Sequence, residues 1–202
     1  MAAPAFPNPD ELRERLVKTI NDESIWKKEK DDKGIEIFVG KDDSKFKMFR
    51  GIGYIDEPIA TLIPIVTDRE KRKEWNEAFI GSDVIEQITP ESKLIHPMFR
   101  AGAAKNRDFC CFASERSTET EFIEAQTSVE DPRVPPHKDF QRATVLLSGM
   151  HMTSVSPTRT RVLYMAQIDL GGWVPAMIGN MINMKQPLCI AKIRDYAEKQ
   201  KK

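Results

Sequence analysis

The spacing of apolar positions changes period several times along the chain. In NPDELRERLVKTI, Leu12, Leu16 and Ile20 fall four apart, the stripe of an amphipathic helix. Asn8 can cap it, Pro9 suits its first turn, and Glu11 can reach back as in a capping box. GIEIFVG then alternates, with Ile35, Ile37 and Val39 on one face of a strand. KFKMFRGIGYI continues less cleanly, and its glycines mark a bend or a close backbone approach. Two or three antiparallel strands are expected here. DEPIATLIPIVTDREKRKEWN returns to helix. Pro58 opens one piece, Pro64 is expected to kink or end it, and Asp68 caps a second over residues 69–76.

From residue 78 to 170 the chain reads as strands: DVIEQI, SKLIHPMF, DFCCFASER, EFIEAQTSV, RATVLLSGMHMTSV and TRVLYMAQIDL. The breaks TPES, RAGAAKN, STET, EDPRVPPHKD and SPTRT are turn and loop chemistry. From Val174 apolar residues recur at Met177, Ile178, Met181, Ile182, Leu188, Cys189, Ile193 and Tyr196, one broad helical face, with Asn180 and Asn183 off it. Pro187 is expected to weaken that helix midway. A sheet of about nine antiparallel strands needs a partner for its concave face, and the last helix is left to supply it. The expected class is α+β, a single domain over residues 1–202 with 1–8 and 200–202 as loose ends.

Composition narrows the functions open to such a fold. The 202 residues carry 31 basic and 31 acidic side chains, where a nucleic-acid binder would show a basic excess. No apolar run reaches the 18 residues of a membrane-spanning helix. The opening MAAPAFPNPDELRERL lacks the n-region and h-region of a signal peptide. Three cysteines, with Cys110 and Cys111 adjacent, read as reduced thiols packed as small hydrophobes, so a cytoplasmic protein is expected. No ligand set has zinc spacing, and neither metal nor cofactor is expected. Nucleophile elbow and phosphate loop are absent from the sequence. Material for an enzyme is confined to His96, His137, His151, the cysteines and nearby acids. Adjacent cysteines on a strand point to opposite faces, so at most one faces an interior cavity.

Four segments carry a resemblance: RKEW at 72–75, NRDF at 106–109, VPPHKDFQRA at 134–143 and GGWVPAMIGN at 171–180. Their order and approximate spacing resemble those of START domains, over nearly the whole chain from the first helix to Tyr196. PPHKDFQRA looks most like the glycerophospholipid-binding branch. The resemblance implies a helix-grip fold, a curved sheet whose long C-terminal helix closes an apolar tunnel. It also implies a carrier without catalysis, which holds one glycerophospholipid under that helix as a lid. Enclosing the tails yet opening at a membrane requires a movable wall, and a hinge at Gly171–Gly172 is expected to provide it.

Site residues follow from the same resemblance. Arg72 matches an arginine that contacts lipid phosphate, a good bidentate partner for a guanidinium. Asn76 shares its helix face and stands where relatives commonly carry an acid, so an anionic ligand would offset the cost of burying Arg72. The positions that enclose choline in aromatic rings fall near His96, Phe109 and Leu146. Only one is aromatic, which favours broad or ethanolamine-type headgroup tolerance. The acidic–basic pair of the sterol branch would fall near Pro97 and Ala113 and is missing. Met177, Ile178, Met181 and Ile182 are expected inside, against the ligand, where flexible methionine suits a variable surface.

Met98 and Phe99, beside Arg100 with Lys105 nearby, suit shallow insertion at a headgroup layer. Placement of Phe99 in the core at a strand end is equally open. Lys192, Arg194, Lys199, Lys201 and Lys202 suit anionic lipid or simply the negative end of a helix. Asp108, Arg107 and Arg142 are expected to organise loops. The expected partners are a phospholipid and, transiently, a membrane surface, with the protein a monomer. Open beside this reading are a lipid sensor that transfers nothing, a carrier of sterol, fatty acid or carotenoid, and a cyclase-type enzyme.

Overall fold

The computed structural model describes residues 6–41, 43–102 and 104–201. Helix α1 (Pro9–Asn21) begins at Asn8, whose side-chain oxygen accepts from the N–H groups of Asp10 at 2.9 Å and Glu11 at 3.2 Å. Its stripe of Leu12, Leu16 and Ile20 is buried against one face of a single large sheet. Packing begins before the helix, since Phe6 stacks on Phe112 with ring centroids 5.7 Å apart. At the other end Lys201 pairs with Glu57. Of the two stretches expected to be loose, residues 6–8 and 200–201 are therefore followed by the fold, and 1–5 and 202 lie outside the described residues.

Among the described residues the sheet has eleven strands, where about nine were expected from the pattern. They are β1 (Trp26–Asp32), β2 (Ile35–Gly40), β3 (Met48–Ile55), β4 (Phe79–Thr89), β5 (Ser92–Phe99), β6 (Asn106–Asp108), β7 (Cys111–Ser117), β8 (Glu121–Ser128), β9 (Phe140–Arg142), β10 (Thr144–Ser156) and β11 (Arg159–Asp169). Their spatial order is β1-β2-β3-β11-β10-β8-β7-β5-β6-β9, with β4 paired to β5. Short β6 and β9 run parallel to each other, and every other pairing is antiparallel. Edge strand β1 is mostly charged and exposed, which discourages pairing with another chain.

Opposite α1 lie α2 (Ile59–Thr67), α3 (Arg69–Trp75), α4 (Ala176–Asn183) and α5 (Cys189–Lys199). Pro64 does not end α2. The helix runs on to Thr67 and closes where the Asp68 N–H meets the Pro64 carbonyl at 3.2 Å. Asp68 caps α3, accepting from Glu70 N at 2.8 Å and Lys71 N at 3.3 Å.

The last helix is not continuous. A tight turn at Gln186–Leu188 divides α4 from α5, and Pro187 within it is buried against the sheet. Two glycines of β3 permit this. A Cβ at Gly51 would stand 2.6 Å from Pro187 Cβ, and one at Gly53 would stand 2.8 Å from Ile190 Cγ2 and 2.6 Å from Ile35 Cδ1. Pro187 is thus a docking point for α5 and marks the end of α4. Gly53→Ala should cost about 1–3 kcal/mol, as overpacking of a close contact does. Urea denaturation checks this, and an unchanged midpoint would mean that α5 shifts without cost.

Candidate functional site

Between the sheet and helices α3, α4 and α5 lies a cavity of about 470 Å³. Strand alternation builds its wall. On β8, Ile123 and Ala125 pack toward α1, while Phe122, Glu124 and Gln126 turn to the other side. Ser148 and Met150 of β10, with Tyr164 and Ile168 of β11, join them. Most of the remaining lining is apolar, so a small polar group stands out at one place.

Arg72 leads that group. Its guanidinium carbon lies 4.9 Å from the Phe79 ring centroid and 5.9 Å from that of Trp75. Its Nε is buried without a hydrogen-bond partner. Trp75 is itself fixed by its indole N–H, which donates to the Ile65 carbonyl at 2.9 Å. Asn76 ends α3 and also lines the cavity. It leaves α3 without a carboxylate at that position, yet Glu124 supplies one from the sheet. Burial pushes the Glu124 carboxyl above the ordinary range, and the charge of Arg72 offsets this only in part. The Tyr164 hydroxyl lies 3.4 Å from Ser148 Oγ, and burial raises its pKa as well. The thiols of Cys111 and Cys189, both on the wall, are pushed up to about 12 by burial and stay protonated. Cys110 points the other way, into a cluster with Leu94 and Val134.

Of the residues expected against a ligand, Arg72, Asn76, Phe109, Ile178 and Ile182 line the cavity. His96 and Leu146 are not in its lining. His96 Nε2 is 2.9 Å from Asp108 Oδ2 on the sheet's other side. Leu146 sits at a bulge in the β10–β11 pairing that takes it out of the alternation. Met177 and Met181 are corrected too: they point outward, 73% and 60% exposed. Val174, Ile178 and Ile182, four apart, take the inward stripe, and a helix turns 100° between Met177 and Ile178. Apolar residues therefore occupy both sides of α4, and periodicity alone did not divide them. Trp173 beside it is 94% exposed.

Phe99 belongs to the cavity wall. Its ring packs between Phe79 at 5.5 Å and Phe109 at 5.8 Å, so it is not available to a membrane. Met98 is paired within the sheet, while Arg100 is exposed at the cavity rim and donates to the Glu77 carbonyl at 2.9 Å. Pro97 and Ala113 carry no charge; the charged side chains in the lining are Glu124, Arg72, Arg107 and, at the rim, Arg100, all from other positions. Glu124 was missed in the sequence. The available signal was alternation, since it falls between Phe122 and Gln126 in EFIEAQTSV.

Asp108 does not pair with Arg107. Arg142 donates to it twice, Nε at 3.1 Å to Oδ1 and Nη2 at 2.8 Å to Oδ2, and His96 completes the group. Burial alone would raise the Asp108 carboxyl, but hydrogen bonds from Arg142 and His96 outweigh it and hold the group below its usual range. Arg107 instead donates from Nε to the Leu170 carbonyl at 2.9 Å and from Nη1 to that of Lys105. Its contact with Leu170 ties β6 to the segment that leads into Gly171 and Gly172, whose φ angles are +65° and +66°. A Cβ at Gly171 would lie 2.3 Å from the Arg142 carbonyl oxygen. His151 is buried between Glu121 and Asn21 and His137 is exposed, so none of the three histidines lines the cavity.

The START domain model matches residues 10–200. The chain belongs to the START family. START domains bind lipids, and the open, largely antiparallel sheet closed over by C-terminal helix is their helix-grip fold. START domain-containing protein 10 of mouse and of human is 30% identical to this chain over 126 residues, 62% of the chain and 43% of the relative. The chain thus aligns with less than half the length of those relatives. The crystal structure of human STARD10 has a TM-score of 0.87 at 23% identity, covering 96% of this chain and 81% of that one. Human StAR-related lipid transfer protein 5 also gives 0.87, at 20% identity and 96% coverage of both.

Proposed function

We propose that this START domain is a cytoplasmic carrier of one glycerophospholipid, held in the cavity with its phosphate on Arg72 and exchanged at membranes by outward movement of α4. Arg72 carries the reading. It faces the cavity, stacks over Phe79, keeps an unpartnered Nε, and has no carboxylate within ion-pair distance among the described residues. A phosphate would satisfy its planar donors bidentately. Apolar walls suit acyl chains, whose exposure to water costs about 0.8 kcal/mol per CH₂. Protonated cavity thiols and a lining without histidine support binding over catalysis.

Membrane contact moves from Met98 and Phe99 to α4. Its outer face presents Met177 and Met181, with exposed Trp173 just before it, and its inner face presents Ile178 and Ile182, continued by Val174 of the preceding segment. A short helix apolar on both sides fits a position between a lipid cavity and an acyl layer. The protein would act as a monomer and touch the membrane only during exchange.

Arg72→Gln should reduce phospholipid transfer between vesicles by about tenfold, the 1.4 kcal/mol expected of a charge-assisted contact, with an unchanged melting temperature. Fluorescent-lipid dequenching reads the rate, and mass spectrometry of solvent-extracted protein identifies the lipid. Undiminished transfer by the variant would put the headgroup elsewhere, and a sterol or pigment in the extract would keep the fold and discard the phosphate contact.

A further inference from the structure

We propose that Glu124 is a second headgroup subsite that selects phospholipids bearing a protonated primary amine, with the amine on Glu124 while the phosphate lies on Arg72. This rests on the phosphate reading above and adds what recognises the group beyond the phosphate.

Glu124 cannot turn away from the cavity. Strand β8 is central, flanked by β7 and β10, and residue 124 sits between inward Phe122 and Gln126, opposite Glu115 on one side and Met150 on the other. The carboxylate has neither a hydrogen bond nor an ion pair among the described residues. The charges that face it are few. Arg72 acts on it from α3 beyond ion-pair range, and Glu115 of β7 is held by Lys93 of β5 at 3.1 Å. Strands β10 and β11 contribute neutral Ser148, Met150 and Tyr164, and α5 contributes the neutral Cys189 thiol. A carboxylate facing a largely apolar cavity without a partner is costly, and a ligand cation removes that cost. With phosphate on Arg72 and ammonium on Glu124, the site and a zwitterionic headgroup together bury no net charge.

The surroundings distinguish a primary from a quaternary amine. A quaternary ammonium donates no hydrogen bond and is recognised by aromatic faces. Here the rings of Trp75 and Phe79 lie against Arg72, and Phe99 is engaged by Phe79 and Phe109. The groups that share the wall with Glu124 can instead accept: the Gln126 amide and the hydroxyls of Ser148 and Tyr164 each carry an oxygen with free acceptor capacity. They match the three N–H donors of a primary ammonium.

The test loads the full chain from vesicles of phosphatidylethanolamine and phosphatidylcholine, equal in amount and acyl composition, and measures the bound ratio by mass spectrometry. The wild-type protein is expected to favour ethanolamine about tenfold, and Glu124→Gln to bring the ratio near one while total bound phospholipid persists. A second measurement needs no variant: binding to wild-type protein should fall stepwise as the headgroup amine gains one, two and three methyl groups. A ratio unaffected by Glu124→Gln, or a flat methylation series, overturns the subsite and leaves the phosphate reading standing. Absence of any bound phospholipid overturns both.

A stability readout separates this role from a structural one. Because burial raises the Glu124 pKa in the folded state, the empty protein should lose stability as pH rises from the ordinary carboxylate range through that raised value. Glu124→Gln should remove the loss, as should loading with phosphatidylethanolamine. Loading with phosphatidic acid, which offers phosphate without an amine, should leave it in place. If phosphatidic acid removes it equally, the amine assignment falls.

Discussion

Asp108→Asn should destabilise the fold by about 3 kcal/mol, the lower end of the range for breaking a buried ion pair. Asp108 is fully buried and receives three hydrogen bonds, two from Arg142 and one shared with His96. Arg142 Nη2 also reaches the carbonyls of Val134 at 3.1 Å and Pro135 at 3.2 Å, so the carboxylate fixes the cation that holds the proline-bearing loop. Asparagine keeps the shape and removes the charge, leaving Arg142 with neutral acceptors. That side chain retains 27% exposure, which lets water compensate in part and sets the effect at the low end. The pH dependence has a defined sign. Asp108 is held below its usual range in the fold, so its contribution is complete above the unfolded aspartate pKa and is lost as pH falls from there through the lowered value. Urea denaturation at neutral pH measures the first effect, and its repetition down to acid measures the second. The variant should be flatter than wild type across that window. Headgroup preference should not change, because Asp108 and His96 lie off the cavity. Wild-type stability in the variant would show that other contacts hold the loop.

The order of elements was legible because it depends on periodicity, which backbone geometry imposes directly. Leu12, Leu16 and Ile20 marked α1, Asp68 marked the start of α3, and the alternating runs after residue 78 marked the long strands. Strand β1 was harder to see because WKKEKDD has no apolar face; pairing with β2 forms it. Strands β6 and β9 are three-residue pieces joined across a long separation, and no local pattern encodes that contact. Resemblance placed Arg72, Asn76 and Phe109 at the cavity, but approximate alignment failed at His96, where a neighbouring strand position faces the opposite side. Leu146 was lost to a bulge for the same reason: one residue of slip reverses a side chain. The division of α4 into inner and outer stripes needed the position of the sheet, since isoleucine and methionine score alike as apolar. Glu124 was overlooked because a charged residue in a strand is ordinarily solvated. Alternation with Phe122 and Gln126 hinted at its side, and the neighbours on both sides of β8 fix it inward.

Pinning α4 should abolish transfer, while pinning α5 should not. The two helices are fastened by different means. Helix α5 buries Ile190, Ala191, Ile193 and Tyr196; Pro187 of its preceding turn is seated on Gly51, and Ile190 on Gly53. Helix α4 has no fully buried apolar side chain among its described ones and relies on two asparagines for polar attachment. Asn183 donates to the Ile168 carbonyl at 2.9 Å, and the Asn180 side-chain oxygen accepts from the Lys47 backbone N–H at 3.2 Å. Such contacts contribute about 1 kcal/mol each and are regained from water when the helix lifts. On the proposed exchange route, Gly171 and Gly172 on one side and the turn at Gln186–Leu188 on the other are the points about which α4 would leave without moving α5. Cysteines at Asn180 and Lys47, in a Cys189→Ala background, should form a crosslink on oxidation that reduces vesicle-to-vesicle transfer to the protein-free rate. Lipid already inside should stay bound, and reductant should restore transfer. Cysteines at Lys33 and Arg194, joined now by an Arg194 Nη1 bond of 3.0 Å to the Lys33 carbonyl and bridged in the variant by a short bismaleimide that replaces the span of the arginine, pin α5 instead and should leave transfer intact. If the second crosslink also blocks exchange, the whole C-terminal segment moves as one. If the first does not, lipid leaves the cavity by a route that α4 does not control.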